Sequence, residues 1–264
     1  VTRAPQLVGI LNVTPDSFSD GGRYAGRDQA VAAGVQMRAE GADWIDVGGE
    51  STRPGAPEVP VGQELERVLP VVEALVAAGV PVSIDTRKTP VAKAALAAGA
   101  EVVNDVNGLR APGMVDAIAA AGAGAVIMHM RGTPEDMLSR VTYDDVLTDV
   151  RGFLAERLAV ARAAGIARLW VDPGIGFAKT ADQNLVLLRR LGELGDLGAP
   201  VYVGASRKRF IGAVTGASDP ADRLGGSIGA AIAAAQHGAA VLRVHDVAAT
   251  RQALAVMIAV HGSA

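Results

Sequence analysis

The stretch Val82-Ser83-Ile84-Asp85-Thr86-Arg87-Lys88-Thr89-Pro90-Val91-Ala92-Lys93-Ala94-Ala95-Leu96-Ala97-Ala98-Gly99-Ala100-Glu101-Val102-Val103-Asn104 holds one complete structural unit. A short, mostly apolar run (82–85) reads as a strand and ends in a polar loop. An alanine-rich stretch (90–98) reads as a helix. Gly99 follows it, and glycine just past a helix supplies the left-handed conformation with which the chain turns back. The run 102–104 then opens the next strand. The same order recurs in both directions along the chain. Strands are expected at 7–12, 44–48, 82–85, 102–104, 125–129, 169–172, 201–205 and 241–244. Helices are expected at 29–40, 63–78, 90–98, 113–121, 145–164, 182–191, 222–236 and 248–260. Gly41, Gly79 and Gly165 repeat the part played by Gly99.

Eight strands alternate with eight helices at roughly 33 residues a step, the size of one βαβ unit. Short apolar strands fit parallel pairing with both faces buried. An α/β doubly wound sheet is the alternative, but eight regular units favour closure into a (β/α)8, or TIM, barrel over residues 1–264. No linker, charge block or low-complexity tract divides the chain.

With 264 residues, half of them apolar, the chain can bury a large core. Its net charge of -3 gives no general attraction to nucleic acid or acidic membranes. No apolar run approaches the ~20 residues that span a bilayer. The first residues, 1–6, lack a secretory pattern, so a cytoplasmic protein is expected. The absence of cysteine excludes disulfides and thiolate metal sites. Only four of 25 basic residues are lysines: Lys88, Lys93, Lys179 and Lys208. Against that arginine bias, a retained lysine suggests a need for a compact ammonium. Even so, Lys88 and Lys179 read best as surface or loop residues.

In a parallel barrel the chemistry gathers where the strands end. Here the successive ends read Asn12-Val13-Thr14, Asp46-Val47-Gly48-Gly49-Glu50, Asp85-Thr86, Asn104-Asp105, Met128-His129-Met130, Asp172-Pro173-Gly174, Gly204-Ala205-Ser206-Arg207-Lys208-Arg209 and Arg243-Val244-His245-Asp246. Every strand brings a hydrogen-bonding side chain to one rim. Unpaired buried polar groups cost several kcal/mol, so a ring of them implies a polar ligand.

These residues resemble the dihydropteroate synthase family. The likeness is carried by Asn-Val-Thr-Pro-Asp-Ser-Phe-Ser-Asp-Gly-Gly at 12–22, Gly-Gly-Glu-Ser-Thr-Arg-Pro-Gly at 48–55 and Ser-Ile-Asp-Thr at 83–86. Asp-Pro-Gly-Ile-Gly-Phe at 172–177, Ser-Arg-Lys-Arg at 206–209 and Arg-Val-His-Asp at 243–246 complete it. The resemblance implies condensation of 6-hydroxymethyl-7,8-dihydropterin diphosphate with 4-aminobenzoate in folate synthesis. It also implies Mg²⁺, a homodimer and inhibition by sulfonamides. Two positions depart from the pattern: Asn107 stands where Ser is frequent, and Arg131 where Gln is.

By that resemblance, Asp85, Asn104, Met128, Asp172, Phe177, Gly204 and Lys208 line the pterin pocket. Asn12, Thr52, Arg243 and His245 take the diphosphate. Phe18, Thr52, Arg53, Ser206 and Lys208 take the aminobenzoate. Asp85, Lys208, Arg243 and His245 are the catalytic candidates, and Asn12 is the Mg²⁺ ligand. The chemistry suits these types. A carboxylate can accept from the pterin's N3–H and 2-amino groups together. Arg243 and His245, two residues apart, can point to one side. Asp246 can cap the last helix, whose first amides attract anions. An amide oxygen suits a hard cation that shares phosphate oxygens. Segments 14–24 and 52–60, rich in Gly, Pro and Ser, read as lids. Two rivals are a methyltetrahydrofolate-dependent methyltransferase and a non-catalytic pterin-binding paralogue. Ser-Arg-Lys-Arg and Arg-Val-His-Asp argue against the first, and the complete motif set against the second.

Overall fold

Eight parallel strands pair in chain order, and the last closes on the first. The structure, a computed structural model, describes residues 4–14 and 22–261. The strands are β1 (Gln6–Asn12), β2 (Trp44–Gly48), β3 (Val82–Asp85), β4 (Val102–Asp105), β5 (Gly124–Met128), β6 (Leu169–Asp172), β7 (Val201–Val203) and β8 (Ala239–Val244). The helices around them are α1 (Gly22–Ala39), α2 (Val61–Ala77), α3 (Thr89–Ala97), α4 (Met114–Ala120), α5 (Val146–Ala163), α6 (Ala181–Arg189), α7 (Arg209–Thr215), α8 (Leu224–Gln236) and α9 (Val247–His261). The closed barrel expected from the repeat is therefore the fold. Parallel pairing of β1 with β8 (Val8 beside Arg243) leaves the sheet no open edge.

Alternation along each strand divides the side chains. Outward residues such as Leu7, Ile45, Ile84 and Val103 pack beneath the helices with Val72, Leu75 and Ala95. Each large aliphatic side chain so buried contributes about 1.5–3 kcal/mol. Inward residues fill the lower barrel with Val8, Trp44, Val102, Val126, Tyr202 and Val241. The rings of Trp44 and Trp170 lie 5.8 Å apart across this floor. The plug fills the lower barrel between the strands, which leaves the interior open toward the rim where the strands end.

Several elements depart from expectation, the largest shift being the helix expected at 29–40, which begins seven residues earlier at Gly22. Strand β7 stops at Val203, with an irregularity in its pairing at Val201 and Tyr202. The helix expected at 222–236 begins at Leu224, after a 3₁₀ turn at Pro220–Arg223. Between β7 and that turn lies an unanticipated helix, α7, ended by Gly216 at φ 81°. Gly41, Gly79, Gly99 and Gly165 all have positive φ, as read from their places after helices.

Candidate functional site

Strand register lines up the first half of the rim. Asn12 lies beside Gly48, Gly48 beside Asp85, and Asp85 beside Asn104. One pleat below, a residue the sequence reading passed over joins them. Asp46 is fully buried. Its Oδ2 accepts from Asn104 Nδ2 at 2.9 Å and from Arg243 Nε at 2.6 Å. Its Oδ1 accepts from Ser83 Oγ at 2.5 Å. Arg243 Nη2 donates to Asp85 Oδ2 at 2.6 Å. The signal for Asp46 was a lone carboxylate in the inward series Trp44, Asp46, Gly48.

This pairing gives Arg243 a role beyond the one expected of it. Two of its nitrogens are committed to buried carboxylates, because two anions inside a barrel need a cation. Nε and Nη2 are the nitrogens so used; a guanidinium has five N–H donors, so protons on Nη1 and Nη2 remain for an anion. Burial pushes Asp85 up, to about 7, against the pull of Arg243, with Asp46 adding to the rise. The guanidinium is held cationic by its two carboxylates. Counted as charges, two carboxylates and one guanidinium leave this cluster net negative when both acids are ionised.

The other wall comes from β5, β6 and β7. Asp172 and Met128 lie side by side in register. Burial raises the Asp172 pKa, while Lys208 and the Gly174 amide oppose the rise. Its Oδ1 accepts from Gly174 N at 2.7 Å, so the turn role and a ligand role coexist, with Oδ2 and the second lone pair of Oδ1 left for the latter. Lys208 begins α7 and reaches back to the carbonyl of Ile175. Its Nζ stands 4.5 Å over the Phe177 ring. A side chain at Gly204 would lie 3.8 Å from that Nζ and 3.7 Å from Arg243 Cδ, so glycine there keeps the space between the two cations open. Burial lowers Lys208 to about 8, with Asp172 opposing. Met128 and Phe177 are buried together with Met130 and Val106, an apolar wall for a flat ring.

A third group closes the rim at β8. His245 Nδ1 lies 2.9 Å from Ser206 Oγ, and His245 N donates to the same oxygen at 3.3 Å. Burial lowers His245 to about 3, helped by Arg243, Arg207 and, more weakly, Arg53. The imidazole is therefore neutral at physiological pH. Which of Nδ1 and Oγ donates depends on the imidazole tautomer; with Nδ1 protonated, the Ser206 hydroxyl proton is free for the carboxylate expected there. Asp246 does not cap α9 with its side chain, as expected, but pairs with Arg207 at 2.6 Å. That bridge holds Arg207 at φ 57°, directly before Lys208.

Two lysines read as surface residues are buried. Lys88 Nζ donates to Glu50 Oε2 at 2.9 Å, to Glu64 Oε2 at 2.6 Å and to the Val59 carbonyl at 2.6 Å. With Val59 N on Glu50 Oε1 at 2.9 Å, this clasps the base of the loop that carries Thr52 and Arg53. Near that loop's tip, Gly55 N donates to the Pro134 carbonyl at 2.9 Å. Lys179 is buried against His129, 3.0 Å from its Nδ1. Neither lysine could be placed from local sequence, because their partners lie at least 24 residues away except within Lys179's own turn. Asp105 was also missed. It is buried, raised to about 6 by burial, and accepts from the amides of Asn107 and Leu109.

Phe18 and most of the segment 14–24 lie outside the described residues, and α1 already begins at Gly22. Arg53 is exposed and Thr52 half-buried. Among the described residues no group of three His, Asp or Glu side chains could hold a metal. Asn12 contributes one neutral oxygen. So sparse a set fits a hard cation that takes most of its ligands from water and phosphate, not one caged by protein.

The rim can thus take a flat polar ring between Asp172, Asn104 and Lys208, with an anion toward His245. A family model described as "Pterin binding enzyme" matches residues 8–245. The dihydropteroate synthase of Escherichia coli (strain K12) is 45% identical over 256 residues, covering 96% of this chain and 90% of that protein. Two structures of the Xanthomonas albilineans dihydropteroate synthase superpose over all of this chain. The one with 4-aminobenzoic acid has a TM-score of 0.94, 51% identity and 95% of its own chain covered. The one with 7,8-dihydropteroate has a TM-score of 0.91, 48% identity and 96% of its own chain covered.

Proposed function

Because the chain belongs to the pterin-binding enzymes, within the dihydropteroate synthases, we propose that it transfers the pterin methylene of 6-hydroxymethyl-7,8-dihydropterin diphosphate to the amine of 4-aminobenzoate. The products are 7,8-dihydropteroate and diphosphate. The observation that carries this is the hydrogen-bonded chain Asn104–Asp46–Arg243–Asp85 beneath the rim, with Asp172 and Lys208 on the facing wall.

Asp172 accepts from the pterin's N3–H and 2-amino group, and Asn104 offers its amide oxygen beside them. Lys208 donates to the pterin carbonyl and ring nitrogen, while Met128 and Phe177 cover a face. When bound, Mg²⁺ held by Asn12 and the substrate's own phosphate oxygens supplies charge neutralisation to the leaving group. His245 and the amides opening α9 receive the diphosphate. As the C–O bond breaks, positive charge spreads from the methylene into the ring. The net-negative cluster of Asp46, Asp85 and Arg243 lies close enough to favour it. The amine lone pair then forms the C–N bond and the nitrogen gives up one proton to the departing diphosphate or to solvent, with the aminobenzoate carboxylate held by Arg53. Thr52 borders that end, and sulfonamides compete there. A homodimer and a cytoplasmic setting complete the reading.

Incubating the protein with Mg²⁺ and both substrates is expected to yield dihydropteroate. Pterin binding without product would make the protein a binding module. Its kcat/KM for the pterin diphosphate is expected to be bell-shaped in pH. Protonation of Asp85, whose pKa is about 7, removes activity on the acid side. Loss of the Lys208 proton, at about 8, removes it on the alkaline side. A pH–rate profile of Lys208→Arg checks the second limb, which should move up by more than about one unit because guanidinium stays charged.

A further inference from the structure

The turn after β6 carries two residues of the proposed pterin pocket, Asp172 and Phe177, and closes on one backbone bond of its own, from Phe177 N to the Gly174 carbonyl at 3.0 Å. Gly174 and Gly176 have φ 69° and 82°, and Ala178 has φ 48° without being glycine. A non-glycine residue in that region costs roughly 1–2 kcal/mol. Side chains from elsewhere pin the turn. Tyr143 Oη donates to the Ala178 carbonyl at 3.0 Å, and Asn184 Oδ1 accepts from Gly176 N at 2.6 Å. At its centre lies Lys179. Its Nζ donates to the Gly174 carbonyl at 3.1 Å and the Phe177 carbonyl at 3.0 Å, and it meets His129 Nδ1 at 3.0 Å. Those three contacts use all three ammonium protons, and none is to a carboxylate. The side chain is 6% exposed, so this arrangement is built, not incidental.

We propose that Lys179 is a positioning residue for the pterin: its buried ammonium fixes the turn that carries Phe177 and lends positive charge to Asp172, the carboxylate that accepts from the pterin. The proposal rests on the pterin reading above. The link to Asp172 is short: Gly174, whose carbonyl Lys179 holds, gives its amide to Asp172 Oδ1 at 2.7 Å. His129 N donates to the Asp172 carbonyl at 3.0 Å from the other side. The charged groups facing Asp172 are Lys208, Lys179 and Arg243. Those facing Lys179 are Asp172, Lys208 and Arg131, with His129 in contact. His129 is kept neutral, burial and Lys179 lowering it to about 2. It therefore serves Lys179 as an acceptor and does not compete with it for charge.

The sign follows. Burial raises Asp172 and the ammonium opposes that rise. Removing the ammonium raises Asp172 further, so its charge is lost at a higher pH as the solution is acidified. Lys179 itself is lowered to about 7 by burial, so its charge is present on the acid side, where it is needed.

The test is calorimetric binding of the pterin alcohol, which lacks the diphosphate, across pH, together with KM for each substrate. Wild type, Lys179→Met and Lys179→Gln are compared. Wild-type turnover reports separately on the proposed function. In the variants, the acid limb of pterin binding should move up by about one pH unit, and on the acid side of that limb binding should be about tenfold weaker, the equivalent in free energy. KM for 4-aminobenzoate should change clearly less than pterin binding, because Thr52 and Arg53, which take its carboxylate end, lie on the loop after β2 and not on this turn. Gln keeps a neutral donor, so it should preserve the turn better than Met yet show the same limb. An unmoved acid limb in whichever variant folds overturns the proposal, as do equal losses for both substrates.

Discussion

Replacing Asp172 by Asn lowers kcat/KM for the pterin diphosphate by about a thousandfold while the fold survives. The carboxylate offers two acceptors to two adjacent donors. Asparagine keeps one acceptor and sets its own N–H₂ against a pterin N–H. Hydrogen bonds to a charged group contribute about 1.5–3 kcal/mol each, so losing one and opposing the other reaches about 4 kcal/mol. That is three powers of ten in kcat/KM. The Gly174 amide still finds an oxygen, as it does on Oδ1 now, so the turn and the melting temperature change little. Steady-state kinetics beside a thermal melt check this. Rates within threefold of wild type would remove Asp172 from the pterin pocket.

Arg243→Met should do more, because it strikes both stability and rate. Asp46 and Asp85 would lose the cation that each meets at 2.6 Å. Breaking a buried ion pair by removing one partner costs about 3–5 kcal/mol. That loss depends on pH in a defined sense. Burial already raises Asp85 to about 7 while Arg243 opposes it, so without Arg243 the folded-state pKa rises further. An unfolded aspartate titrates near ~3.9. Between these values the folded variant binds more protons than the unfolded chain, so its stability falls as pH rises. Denaturant unfolding should show a deficit that is large at pH 8 and small at pH 5. A deficit independent of pH would mean that lost packing, not uncompensated charge, is responsible. Adding Asp85→Asn should restore part of the stability at pH 8 but not the activity.

How much of this was legible in the sequence depends on how far apart the partners lie. Strands β2, β3 and β6 were bounded correctly because their apolar runs end sharply at Gly48, Asp85 and Asp172. Helix α7 was not seen. Its seven residues include Gly212 and lie between a basic turn and Gly216, too short a stretch to show a helical period. The rim residues were readable because a parallel barrel sends every strand end to one place. Asp46 was not, since it sits one pleat beneath the rim and its meaning comes from Arg243, 197 residues away. Lys88 and Lys179 were misjudged for the same reason. A lysine's default is solvent, and only the folded chain brings Glu50 and Glu64 to one and His129 to the other. The arginine bias had pointed to retained lysines as special, and three of the four are held in polar contacts within the fold.

The most direct test is a crystal structure of the protein with the pterin diphosphate bound. The pterin's N3–H and 2-amino edge should meet Asp172, with Lys208 on its carbonyl side, Met128 against a face, and the diphosphate lying between Asn12 and His245. Ligand density elsewhere on the barrel, or a pterin edge turned away from Asp172, would contradict it.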